Sequence, residues 1–198
     1  MKLVATPLSH FGRKIRILLA ELVVPFEWVR PDGVMVATPA HYGDNPLLRV
    51  PTLIDGDVTL IESDHIARYV VSKHDPADRF GVRSEVVDDL NALAVMNGIM
   101  ANEVVVILAK RGGLADPDRV VYFQKLLAAI EHGLTWLEPR VGQGALTYRD
   151  IVLVSMWQHL AHYRLVAQLE RWPRIAARSA ELMARPSIAT TAPAAQNS

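Results

Sequence analysis

The chain has 198 residues, 51% of them hydrophobic and 21% charged, with zero formal net charge and no cysteine. That length suits one large domain or two small ones, and the balanced charge excludes a global basic field for nucleic acid and an acidic, disordered composition. Disulfides, zinc–thiolate sites and a cysteine nucleophile are excluded with them.

The opening "MKLVATPLSHFGRKIR" lacks the apolar run and small-residue cleavage site of a signal peptide. No apolar stretch is expected to approach a bilayer span, so the expectation is a cytoplasmic protein without membrane contact. "KLVATP" reads as a short strand. "GRKIRILLAEL" sets Ile15, Leu18, Leu19 and Leu22 on one helical face, and "PFEWVR" is a second strand. A β-α-β unit implies a parallel pair with a right-handed crossover.

In "NPLLRVPTL" a strand begins on Pro51, which has no N–H for a ladder and is tolerated mainly at a strand's first residue. "TLIDGDVTLI" predicts a hairpin around Asp55-Gly56. "SDHIARYVVSKHD" predicts a helix capped by Ser63 or Asp64, with Ile66, Tyr69 and Val70 inward.

The texture changes near residue 76. Residues 1–75 predict a small α/β domain, 76–83 a linker, and 84–198 an all-helical domain with a loose tail after about 187. Within it, "SEVVDDLNALAVMNGIMANEVVVILAKR" is a long helix. Asp116-Pro117 predicts the start of the next, through Leu126, Ile130 and Leu137. Thr147 and Asp150 predict a capping box ahead of "IVLVSMWQHLAHY", too apolar for a surface helix. "PRIAARSAELMA" is a last amphipathic helix.

Two loci carry candidate chemistry. Ser9 precedes a helix whose first turns hold Arg13, Lys14 and Arg16, although cations complement helix C-termini. One reading is a capping serine beside a solvated basic face; the other is an anion site that would favour a thiolate. Glu62 and Ser63 open a helix where a strand ends, either as ordinary acidic capping or as an anion-binding turn. Met96, Asn97 and Met100 lie one turn apart, at a spacing that suits a core stripe or a flexible apolar pocket. Tyr122 and Trp157 are expected in the core. His159 and His162 are three apart without a supporting ligand cluster, so no metal is expected.

"LSHFGRKIR", "NPLLRVPTL", "LIESDHIARYV" and "LTYRDIVL" together resemble the soluble glutathione S-transferase family, over nearly the whole chain. The resemblance implies an N-terminal thioredoxin-like domain (β-α-β-α-β-β-α, mixed sheet), an all-α C-terminal domain and a homodimer. It implies a transferase that takes glutathione as co-substrate and attacks a small hydrophobic electrophile; the alternative is a non-catalytic relative. Ser9 matches the catalytic hydroxyl best, although the proline that often follows is His10 here, which leaves Thr6 as a rival. Glu62 and Ser63 match the pair holding the γ-glutamyl end. Val50 and Pro51 match the segment that pairs with the cysteinyl unit, with a cis bond before the proline. Arg49 and His41 are candidates for the glycine carboxylate. His10, Phe11, Met96 and Met100 are candidates for the electrophile side, and Thr147 and Asp150 match a buried folding motif.

Overall fold

The computed structural model describes residues 1–114 and 119–196. Strand β1 (Lys2–Val4) leads to helix α1 (His10–Glu21), and strand β2 (Glu27–Val29) returns parallel to β1, as the β-α-β spacing requires. Strands β3 (Thr52–Asp55) and β4 (Val58–Ile61) form an antiparallel hairpin, and helix α2 (Ser63–His74) follows. The mixed sheet has the order β2-β1-β3-β4. The hairpin turn is Gly56-Asp57, one residue later than expected, with φ +61° falling on the glycine that tolerates it.

Between β2 and β3 the resemblance implied an α-helix, and the structure corrects this to a single 3-10 turn, Pro39–Tyr42. Pro31, Gly33 and Pro39 interrupt the segment, and Gly43 ends the turn at φ +67°. Thr52 pins it to β3, its hydroxyl donating to the Tyr42 carbonyl at 2.7 Å.

The helical part comprises α3 (Val87–Arg111), α4 (Val121–Leu137), α5 (Tyr148–Tyr163), α6 (Pro173–Leu182) and the short α7 (Pro186–Ala189). The expected Asp116-Pro117 start of α4 lies outside the described residues. By length and composition α3 is apolar enough to cross a membrane, contrary to the expectation that no stretch approached a span. In this fold it packs against α4 and α5 and buries Glu103. Helix α5 is buried on nearly every side, and Thr147 with Asp150 forms its capping box. Asp150 also accepts two hydrogen bonds from Arg178, at 2.9 and 3.0 Å, which locks α6 onto α5. Trp157 is buried as expected, but Tyr122 is exposed, because it sits at the very start of α4 rather than on its inward face.

One continuous core joins the two parts. It runs from Leu3, Leu18 and Leu53 through Met96 and Met100 to Leu153 and Ile175. The tail, expected to be loose, is packed as far as it is described. Ile188 is fully buried, Ala192 and Pro193 are buried, and a 3-10 turn spans Pro193–Gln196. Arg13 on α1 anchors it at several points. Its guanidinium donates to the Ile188 carbonyl (3.1 Å), the Thr191 hydroxyl (3.2 Å), the Val154 carbonyl (3.2 Å) and the Gln158 amide oxygen (2.7 Å).

Candidate functional site

Sheet register decides which loops meet. Val4, the last residue of β1, lies opposite Thr52, the first of β3, and Thr52 lies opposite Ile61, the last of β4. Three segments therefore leave the sheet at one end: Thr6–Ser9 after β1, Val50-Pro51 before β3, and Glu62-Ser63 after β4. Below them the openings of α1 and α2 are tied together, because Lys14 donates to the Asp64 carboxylate at 2.6 Å.

Ser9 is the N-cap of α1, its Oγ accepting from the Gly12 N–H at 3.0 Å. A hydroxyl has one proton and two lone pairs, so this cap occupies a lone pair and leaves the proton to donate elsewhere. The Thr6 carbonyl accepts from the Ser9 N–H at 3.2 Å, which closes the turn between β1 and α1. Gly12 matters at this joint, since a Cβ there would lie 2.7 Å from the Ala5 Cβ. Only glycine lets α1 start this close to the end of β1.

The basic cluster is not a solvated face, and that reading is corrected. Arg13, Lys14 and Arg16 are all buried. Arg13 holds the C-terminal tail. Arg16 stacks on the Trp28 ring at 3.7 Å and donates to Gln196. Lys14 donates to Asp64 and, at 3.0 Å, to Asn97 on α3.

Around Asp64 a four-helix network closes. Its carboxylate accepts from Lys14, from Asn97 (2.6 Å) and from the Tyr148 hydroxyl on α5 (2.7 Å). Burial pushes the Asp64 pKa up, but the Lys14 charge and these donors outweigh it and hold the group below its ordinary value. Burial lowers the Lys14 pKa despite Asp64, and burial together with Asp64 raises the Tyr148 phenol well above its usual range.

Glu62 is exposed and is the N-cap of α2, a role expected of Ser63 or Asp64. Its Oε2 accepts from the Asp64 N–H at 3.0 Å and its Oε1 accepts from the Ser63 hydroxyl at 3.2 Å. Its φ of +73° is unusual for a non-glycine residue, and such conformations cost on the order of 1–3 kcal/mol and concentrate where a fold presents a ligand-binding group. Ser63 is buried beside it.

The Val50-Pro51 bond is cis, and Val50 lies outside the ladder, whose register starts at Thr52. The loop before it is held by buried Asn45. Its Nδ2 donates to the Arg49 carbonyl at 2.9 Å, and its Oδ1 accepts from the Leu47 N–H at 2.9 Å. Asn45 was missed in the sequence, although Asn-Pro is a turn-initiating pair that signals such a side-chain-supported loop. The Arg49 side chain is exposed, and His41 sits on the 3-10 turn with Nε2 3.3 Å from the Gly33 carbonyl.

The expected electrophile-side set is not brought together as a cleft. Met96 and Met100 are buried in the core, and so is His10, whose Nε2 lies 3.1 Å from the Met100 carbonyl. Helix α3 packs against α4 and α5, so the methionine spacing reports helix packing. Phe11 alone of the four is partly exposed, its ring 4.7 Å from that of His10.

A second polar cluster, unforeseen in the sequence, lies where α1, α3 and α5 cross. His10, Glu103 and His159 are all buried, and their donor atoms lie within 4.8 Å of one another. His159 was expected to stand apart from any ligand set, and the structure corrects this because its neighbours come from other helices; His162 packs against Tyr163 instead. Glu103 was detectable as an acid placed immediately before the apolar run "VVVILA" within one helix. Burial, opposed by the Met100 carbonyl, lowers the His10 pKa to about 3. Burial also lowers His159 and raises Glu103 well above the usual carboxylate range.

Residues 3–78 match the glutathione S-transferase N-terminal domain. Over 88 residues the chain is 40% identical to glutathione S-transferase 4 of Zea mays, a match covering 43% of this chain and 39% of that protein. It thus spans well under half the length of that relative. Among solved structures, a glutathione S-transferase from Methylobacterium radiotolerans in complex with glutathione sulfonate superposes with TM-score 0.80 at 26% identity. That match covers 97% of this chain and 94% of the other. One from Methylobacillus flagellatus with glutathione bound gives TM-score 0.82 at 24% identity over 97% and 98% of the two chains, a likeness of fold. Residues 3–78 thus carry a glutathione S-transferase N-terminal domain, and the two-part architecture agrees with the fold of these solved structures.

Proposed function

We propose that the chain is a glutathione transferase that binds glutathione across the end of the sheet and delivers its thiolate to a small hydrophobic electrophile. The observation that carries this reading is the register-driven convergence of Ser9, Val50 and Glu62-Ser63 at one end of the sheet. Each offers what one part of the tripeptide needs. Glu62 takes the γ-glutamyl ammonium, and Ser63 with the α2 N-terminus takes the α-carboxylate. The Val50 backbone pairs with the cysteinyl unit, in the manner of an added strand. Arg49 and His41 supply N–H donors for the glycine carboxylate, and the Ser9 proton donates to the sulfur. The glutathione sulfonate bound to the M. radiotolerans relative supports the same co-substrate here.

With His10, Met96 and Met100 buried, Phe11 is the residue of that set that remains for the electrophile side. The working form in this reading is a cytoplasmic homodimer. His10 in place of a proline after Ser9 favours the second reading, a non-catalytic glutathione-binding relative. A thiol-conjugation assay with glutathione and an activated aryl halide separates the two. The transferase reading expects turnover that falls in Ser9→Ala and persists in Thr6→Ala; binding of glutathione without turnover on a panel of such electrophiles would overturn it.

A further inference from the structure

We propose that His10, Glu103 and His159 form a binding site for one first-row divalent transition-metal ion, separate from the proposed glutathione groups. Helices α1, α3 and α5 each contribute one residue, and the donor atoms already lie within 4.8 Å of one another. Two atoms in this pocket are buried without any hydrogen-bond partner, His10 Nδ1 and Glu103 Oε1.

Their chemistry makes both electron donors. The Met100 carbonyl can only accept, so His10 Nε2 carries the ring proton and Nδ1 presents a bare lone pair. A ring N–H held by a backbone carbonyl while the other nitrogen stays free is the usual outer-shell arrangement of a metal-ligating histidine. Glu103 Oε2 is engaged by His159 Nδ1, which leaves Oε1 as the second bare acceptor. Two unpaired acceptors cannot satisfy each other, whereas one cation satisfies both; His159 completes the set when the metal displaces the proton it shares with Glu103, which is released to solvent.

Two imidazoles and a carboxylate suit zinc and its neighbours and do not suit magnesium or calcium, which take oxygen ligands. Zinc bonds of about 2.0–2.2 Å place tetrahedral donors roughly 3.4 Å apart. The observed spread must therefore tighten by about 1.4 Å or less, within reach of side-chain rotation.

The test is zinc binding to the metal-stripped full chain without glutathione, by equilibrium dialysis with elemental analysis, together with the visible spectrum after cobalt(II) substitution. The expected result is one zinc per chain and cobalt d–d bands of a low-coordinate site. Glu103→Gln, close in shape, and His10→Gln are each expected to weaken binding by more than the roughly 10–100-fold that loss of an outer-shell partner causes. His162→Gln is expected to leave it unchanged. Substoichiometric zinc in the wild type, or Glu103→Gln binding as tightly as wild type, would overturn the proposal. Should both variants fail to fold, the wild-type cobalt spectrum decides, and absence of the bands rejects the site.

Discussion

Replacing Ser9 by alanine separates two roles that one hydroxyl performs. Its lone pair caps α1 through Gly12, and loss of such a cap costs about 0.5–2 kcal/mol of stability. Its proton, left free by that geometry, is available to the glutathione sulfur, and a hydrogen bond to a charged group contributes about 1.5–3 kcal/mol, or roughly 1–2 pKa units. From a free thiol near ~8.5, a two-unit drop raises the thiolate fraction at pH 7 from about 3% to about 75%. A Brønsted slope of ~0.4–0.5 returns most of that as lower nucleophilicity, which leaves a net gain of about three-fold. Larger losses would have to come from misplacement of the sulfur. The assay is a pH titration of the ultraviolet thiolate absorbance of bound glutathione. Ser9→Ala is expected to raise the apparent thiol pKa by about 1–2 units and to lower the rate at pH 7 modestly. Ser9→Asp keeps the cap and restores stability but has no proton to give, so it leaves the thiol unactivated. An unchanged thiol pKa in a Ser9→Ala protein that still binds glutathione refutes the assignment, and a rise confined to Thr6→Ala would move the role to Thr6.

The Lys14–Asp64 pair gives an asymmetry. Lys14 is fully buried and Asp64 28% exposed, so Asp64→Ala strands a buried charge and should cost about 3–5 kcal/mol in urea unfolding, whereas Lys14→Met should cost clearly less; equal losses would contradict this. The Asp64 carboxylate titrates below its ordinary 3.8 when folded, so as pH falls the unfolded chain binds the proton first. Its contribution is full above about pH 4 and is lost as pH drops through the folded value; Asp64→Asn should remove that part of the acid sensitivity, and an identical acid profile in the variant would count against it. Arg13→Met should release the tail, seen as faster amide exchange at Ile188–Ala192 with little change in β3; unchanged exchange there would show that packing alone holds it.

The elements that repeat locally were readable in the sequence. Ile15, Leu18 and Leu19 reported the buried face of α1, the Asp-Gly turn reported the hairpin, and Thr147 with Asp150 reported a helix start. Partners far apart in sequence were not readable. Nothing near Arg13 hints at Thr191, 178 positions away, so three buried cations looked like a solvated patch or an anion trap. The same limit hid the meeting of His10, Glu103 and His159, which depends on how α1, α3 and α5 cross. It also left the methionine stripe ambiguous, because helical spacing tells that a face is apolar but not whether protein or ligand covers it. Glu62 was recognised as a candidate, yet its positive φ and its capping of Asp64 follow from the sharp exit of β4 rather than from residue type.

Glutathione binding through the α2 N-terminus is the claim on which the functional reading rests, and isothermal calorimetry addresses it directly. The expected result is saturable binding to the wild type, weakened roughly tenfold or more in Glu62→Ala and in Ser63→Ala, the loss of one charge-assisted contact in each. Absence of binding at millimolar glutathione, or full affinity in both variants, would contradict it.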